Sequence, residues 1–304
     1  MLGDRNARTK RSAGRGLASL LAVVPPLVLA GCSEVVLLDP KGPVGRDERS
    51  LILTAAGIML LVVVPVVVMT FLFAWRYRAG NKKARYEPKW ASSAKIETVV
   101  WGAPVAIIIA LATVSWITTH TLDPFKPLNM PGDPINIQVV SMDWKWLFIY
   151  PEGGVAAVNE VAFPTNTHVH FSLTSDTVMN SFFIPQLGSQ IYTMAGMRTQ
   201  LHLSASEPGR YDGIAANYSG AGFSRMTFEA RAMSTEQFER WIAGVKKSGR
   251  TLDSSTYELL AKPSEDVPVT HYASVSPHLF DRILAKYATR SSSAGSISAV
   301  SREE

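Results

Sequence analysis

Trp144-Lys145-Trp146-Leu147-Phe148-Ile149-Tyr150 is the stretch that decides the fold of this chain. It is aromatic and β-branched, and Pro151-Glu152-Gly153-Gly154 follows it as a turn signal. Upstream, Ile135, Ile137 and Val139 alternate with polar residues, the period that turns one face of a strand to a core. Downstream the alternation returns in His168–Leu173, Gln200–Leu203 and Met226–Ala230, separated by Phe163-Pro164-Thr165-Asn166 and Glu207-Pro208-Gly209-Arg210. Short strands with regular turns read as an all-β sandwich or barrel over residues 124–233. Trp144 and Trp146 alternate in one strand, so both are expected on one face, in the core or at a subunit contact.

Before this domain lie two apolar runs. Leu51 to Trp75 carries no charge, and residues 96–119 carry only Glu97 near one end. Each is long enough to span a bilayer, which takes about 20 apolar residues. The loop between them, residues 76–95, holds Arg76, Arg78, Lys82, Lys83, Arg85, Lys89 and Lys95 against Glu87. Short basic loops stay cytoplasmic, so both ends of the mature chain are expected on the periplasmic side of a bacterial inner membrane. Residues 32–50 are then a periplasmic segment.

The first 31 residues read as a leader. Arg5, Arg8, Lys10, Arg11 and Arg15 form a basic region, Leu17 to Ala30 a short apolar one broken by Pro25 and Pro26. Leu29-Ala30-Gly31-Cys32 resembles a lipoprotein signal box, so Cys32 is the expected lipidation site and membrane lipid a partner. Cys32 is the only cysteine in the chain and has no disulfide partner. Much of the sequence pI of 9.3 therefore belongs to the leader and the loop. It implies no nucleic acid partner.

Past Ser234 the period becomes helical. Ser234-Thr235-Glu236-Gln237 has the pattern of a capping box, followed by Phe238, Trp241, Ile242 and Val245 on one face. A second helix is expected over residues 255–262. A third is expected from Ser276-Pro277, with Ser as cap and Pro at the first helical position. Residues 234–290 thus form a small helical, aromatic-containing extension. Residues 291–304 are small and polar and are expected to be a disordered tail.

Two further segments carry a family likeness: Val178-Met179-Asn180-Ser181-Phe182-Phe183-Ile184-Pro185, and Gly213 through Met226. The pair resembles the ligand segments of the binuclear copper domain in subunit II of haem-copper oxidases. There the first carries a His in a Val-Met-His-Ser-Phe run, and the second reads Cys-x-Glu-x-Cys-x-x-x-His-x-x-Met. On this chain the His positions hold Asn180 and Phe223, the Cys positions Ala215 and Ser219, and the Glu position Asn217. Met226 alone is retained. A binuclear copper centre needs two bridging thiolates and imidazole nitrogens, which this set lacks.

Within the family such a loss marks the quinol oxidases. Leu38-Asp39-Pro40-Lys41-Gly42, Ser141-Met142-Asp143-Trp144-Lys145-Trp146 and Gly188-Ser189-Gln190-Ile191-Tyr192 also stand as in the cytochrome o type. The resemblance implies a cupredoxin-like Greek-key sandwich on a two-helix transmembrane hairpin. It implies a subunit of a proton-pumping ubiquinol oxidase whose haems and single copper belong to subunit I. This chain would then carry no metal or other cofactor of its own, and would meet ubiquinol only through the complex.

His168 and His170 share a strand face, with His202 elsewhere, and are expected to be solvated or hydrogen-bonded surface groups. No nucleotide loop, hydrolase elbow or supported acid–base pair is present, so no catalytic residue is assigned. Sandwiches of this kind serve many purposes. The alternative is therefore a lipid-anchored periplasmic binding or scaffolding protein outside the respiratory chain. The continuity of the motifs through helices, loop and extension argues against it.

Overall fold

A computed structural model describes residues 35–84, 87 and 89–287. The leader, Cys32 and the tail lie outside the described residues. Residues up to Asp39 form a separate unit, of which a short 3-10 turn, Val36–Leu38, is described. From Pro40 onward the chain is one unit.

Helix α1 spans Pro43–Arg76 and α2 spans Ala94–Thr121. Each is long and apolar enough to cross a membrane. Helix α1 begins well before the apolar run at Leu51. Pro43 occupies its first turn, where a missing N–H costs nothing, and the polar residues 46–50 continue the helix. Pro65 and Pro104 lie inside the two helices.

The sandwich that follows has two sheets. One is ordered β12-β3-β2-β1-β5-β8, from Thr270–Tyr272 (β12), Val155–Val158 (β3), Lys145–Tyr150 (β2), Ile135–Met142 (β1), Val169–Ser175 (β5) and Thr199–Leu203 (β8). The other is ordered β4-β10-β9-β6-β7, from Glu160–Pro164 (β4), Thr227–Met233 (β10), Gly209–Ala215 (β9), Asn180–Ile184 (β6) and Gly188–Thr193 (β7). The parallel pairs β1–β5 and β4–β10 mark where the chain crosses over rather than turning back.

Between the sheets Trp146, Phe148, Phe171, Phe182 and Phe228 are packed in the core. Phe182 and Phe228 stack at 4.9 Å, and the edge of Trp146 meets Phe182 at 5.4 Å. Aromatic pairs in such arrangements contribute about 0.5–1.5 kcal/mol beyond their buried area.

Strand β2 is buried at every position rather than at alternate ones. Its second face is covered by the extension. Leu147 and Ile149 join Val140, Met142, Leu252, Tyr257, Tyr272, Leu279, Phe280 and Ile283 in a second core. The extension consists of α3 (Thr235–Lys246), α4 (Ser254–Leu260), the paired strands β11 (Thr251–Leu252) and β13 (Ser274–Val275), β12, and a helix α5 over residues 279–287. Both bonds of the Ser234–Gln237 capping box are present, and Phe238, Trp241, Ile242 and Val245 face the main core. Helix α5 starts later than expected. Pro277 sits in a turn, and His278 adopts φ 55°, which separates that turn from the helix.

Candidate functional site

The six positions with a family likeness to copper ligands gather at one end of the sandwich. Asn180 opens β6 and Ala215 closes β9, while Asn217, Ser219, Phe223 and Met226 lie on the loop from β9 to β10. The antiparallel register sets Phe182 against Ala215, and Asn217 Nδ2 reaches the Met179 carbonyl at 3.2 Å. Ser219 Oγ lies 4.0 Å from Met226 Sδ, and Tyr218 packs its edge on Phe223 at 5.6 Å. The donor set is two carboxamides, a hydroxyl and a thioether, with a methyl and a phenyl group in the remaining places. It does not fit a binuclear copper centre.

Asn180 is fully buried, and neither its Oδ1 nor its Nδ2 bonds a group among the described residues. It pairs across the ladder with Thr193, whose hydroxyl bonds Ser141 of the opposite sheet at 2.8 Å. Carboxamides and hydroxyls here occupy ground between the sheets beside the aromatic core.

Trp144 is not a strand residue. It sits in the turn between β1 and β2 with φ 62°, a left-handed conformation unusual for a bulky side chain. Its indole still packs against the main core that holds Trp146, and it also lies over the β9–β10 loop. Nε1 donates to the Ser219 carbonyl at 3.1 Å. A Cβ on Gly222 would meet the indole at 2.5 Å, so only glycine lets the loop approach this closely. Trp146 stays in the core, its Nε1 without a partner among the described residues.

The extension closes the same end. Arg225, on the loop, forms ion pairs with Glu265 and Asp266. Lys145 is buried on β2, and its ammonium donates to the carbonyls of Lys262 at 2.8 Å and Asp143 at 3.1 Å. Burial pulls this lysine below its usual range, with Asp143 acting against that shift. Asn159 joins three segments, accepting from the Trp146 N–H and donating to the Val267 carbonyl.

His202 is not apart from the other histidines. Strand β8 pairs with β5 so that His170 stands opposite His202, and the two rings stack at 4.7 Å. His168 Nε2 lies 2.7 Å from His202 Nδ1. His168 and His202 are buried, which corrects their expected place at the surface. Burial pushes His202 down to about 4, helped by its two neighbours, and lowers His168 and His170 as well. Among the described residues no group of three His, Cys, Asp or Glu is placed to hold a metal ion.

Two buried carboxylates went unnoticed in the sequence. Glu160 takes Arg231 at 2.8 Å, His271 at 2.7 Å and the Trp241 indole at 3.2 Å. Asp176 takes Tyr257 and Lys286, each at 2.7 Å. Both fasten the extension to the sandwich.

Comparison with known proteins agrees with this architecture. The family pattern described as the cytochrome c oxidase subunit II periplasmic domain matches residues 152–233, and the COX aromatic rich motif matches residues 246–290. The cytochrome bo(3) ubiquinol oxidase subunit 2 of Pseudomonas aeruginosa is 58% identical over 267 residues, spanning 88% of this chain and 80% of that protein. The Pseudomonas putida protein of the same name is 56% identical, over 89% of this chain and 86% of the relative. The ubiquinol oxidase subunit 2 of Acetobacter aceti is 54% identical, over 89% and 88%.

Proposed function

The chain belongs to the subunit 2 family of ubiquinol oxidases and is subunit II of a terminal quinol oxidase, and we propose that it serves there without a copper centre of its own. The observation that carries this reading is the donor set at Asn180, Ala215, Asn217, Ser219, Phe223 and Met226. With thiolates and imidazoles gone, electrons have no relay on this chain. They pass from membrane ubiquinol to haems and a single copper in subunit I, where oxygen is reduced to water and protons are moved outward.

What remains for this chain is mechanical. Two helices span the inner membrane, with residues 76–95 cytoplasmic and both mature ends periplasmic. They pack against subunit I and hold the cupredoxin-like sandwich above it. Trp144 and Arg225 tie the β9–β10 loop to the sandwich and to the extension, and Lys145 ties the extension to β2. Cleavage after Gly31 and lipidation of Cys32 add an acyl anchor to the membrane surface, an assignment supported by the leader's basic, apolar and small-residue order.

Affinity purification of the tagged full-length chain in mild detergent tests the proposal. Co-elution with haem-bearing subunits that turn over ubiquinol supports it. A haem-free preparation, or a complex that oxidises a soluble cytochrome through copper on this chain, rejects it.

A further inference from the structure

Where the sandwich meets the start of α1 and the end of α2, the surface encloses a cavity of about 240 Å³. Its charges come from Asp47 on α1 and from Asp123 and Lys126 in the turn after α2, and its sandwich wall from Ser189 on β7, whose hydroxyl donates to Glu48, and His202 on β8. Among the described residues no ion pair involves Asp47, Asp123 or Lys126. Asp123 accepts the Phe125 N–H at 2.9 Å through one carboxylate oxygen. His202 is 7% exposed, and its Nε2 has no partner among the described residues. The cavity thus presents exposed charges of both signs beside a largely buried imidazole.

The depth of the cavity names its occupant. Asp47 precedes the apolar run at Leu51 by four residues, about 6 Å along a helix rising 1.5 Å per residue. The headgroup layer extends roughly 5–7 Å beyond each face of the hydrocarbon core. At the same end of α2, Trp116 is 71% exposed, as expected for an aromatic at the membrane boundary. Two carboxylates and one ammonium at this height complement a group with a cation at its tip and an anion behind it. An anionic headgroup without that cation leaves both carboxylates unmatched.

We propose that this cavity binds the headgroup of a zwitterionic phospholipid, of the phosphatidylethanolamine class. Its primary ammonium meets Asp47 and Asp123, its phosphate meets Lys126, and its acyl chains lie along the exposed apolar faces of α1 and α2. The bound lipid joins both spans to the sandwich at Ser189 and His202. The proposal rests on the reading that α1 and α2 span the membrane.

The test counts phospholipid in the purified complex by native mass spectrometry, for the wild type and for a variant with Asp123→Asn and Lys126→Gln. Asparagine keeps the oxygen that accepts the Phe125 N–H, so the turn is retained. The variant is expected to assemble and turn over normally while losing one phosphatidylethanolamine per complex. Equal retention overturns the proposal. So does retention of phosphatidylglycerol in the same place, or occupancy of the site by inorganic phosphate when lipid is withheld. Carbonate washing of membranes separates the two levels of the reading. Release of the chain overturns the spans and the proposal together, whereas a retained chain with unchanged lipid overturns the proposal alone.

Discussion

Tyr257 Oη donates to Asp176 Oδ2 across 2.7 Å, joining the C-terminal extension to a carboxylate just beyond β5. The Asp176 side chain is only 2% exposed, and Lys286 Nζ meets its other oxygen at 2.7 Å. Tyr287 adds a bond to the Asp176 carbonyl. Burial and then the charge of Asp176 push the Tyr257 phenol above its ordinary range, so it stays a donor at any physiological pH. One acidic side chain thus gathers the second and last helices of the extension.

Replacing Asp176 with alanine leaves Tyr257 and Lys286 without their acceptor. The expected cost is about 1–3 kcal/mol, the range for a buried group that loses its partner. It should fall on the extension first. Limited proteolysis is expected to cut within residues 246–287 sooner than in the wild type, while the sandwich persists. Unchanged cleavage would show that the apolar contacts of Leu279, Phe280 and Ile283 hold the extension without Asp176.

Acidification should destabilise the domain in two steps. His168, His170 and His202 have lowered values in the fold, so the unfolded chain binds protons more readily between pH 6.5 and about 4. Stability from this cluster is complete above 6.5 and declines as pH falls through that window. Glu160 loses solvent on burial, but hydrogen bonds from Arg231 and His271 and their charges outweigh that and lower it overall. Its contribution is present above pH 4.5 and is lost as pH falls through its folded value. Thermal midpoints of the detergent-solubilised chain are expected to drop from pH 7 to 5, and less so in His202→Asn. An equal drop in both would remove the cluster from the explanation.

Much of this architecture was legible because composition alone specifies it. An uncharged run such as Leu51–Trp75 has few alternatives to spanning, and alternation at Ile135, Ile137 and Val139 names a strand face. The start of α1 was missed because hydropathy marks the membrane and not the helix, although Pro43 was a usable signal. Trp144 was read as a strand residue because spacing cannot show a left-handed turn, although its indole does share the core that holds Trp146. His202 was set apart because β5–β8 pairing joins residues more than 30 positions distant, beyond the reach of periodicity. Asp176 and Glu160 carried no local pattern at all. Their importance comes from burial, which only the fold creates.

Cys32 directly follows the expected leader, and its expected modification has a distinct signature. Mass spectrometry of the native subunit should find a diacylglyceryl group on an N-terminal Cys32. Two spans already insert effectively irreversibly, whereas a single acyl chain binds only marginally. A Cys32→Ala chain given another signal to preserve topology is therefore expected to stay in the membrane and assemble an active oxidase. An intact leader would refute the lipoprotein assignment, and failed assembly would refute its dispensability.

The central claim is that this subunit II carries no copper centre, and metal analysis with visible absorption of the full-length chain, purified apart from the haem-bearing subunits, tests it most directly. The expected result after incubation with copper and removal of excess is no stoichiometric metal and no thiolate-to-copper absorption. A binuclear centre with that absorption would contradict the account.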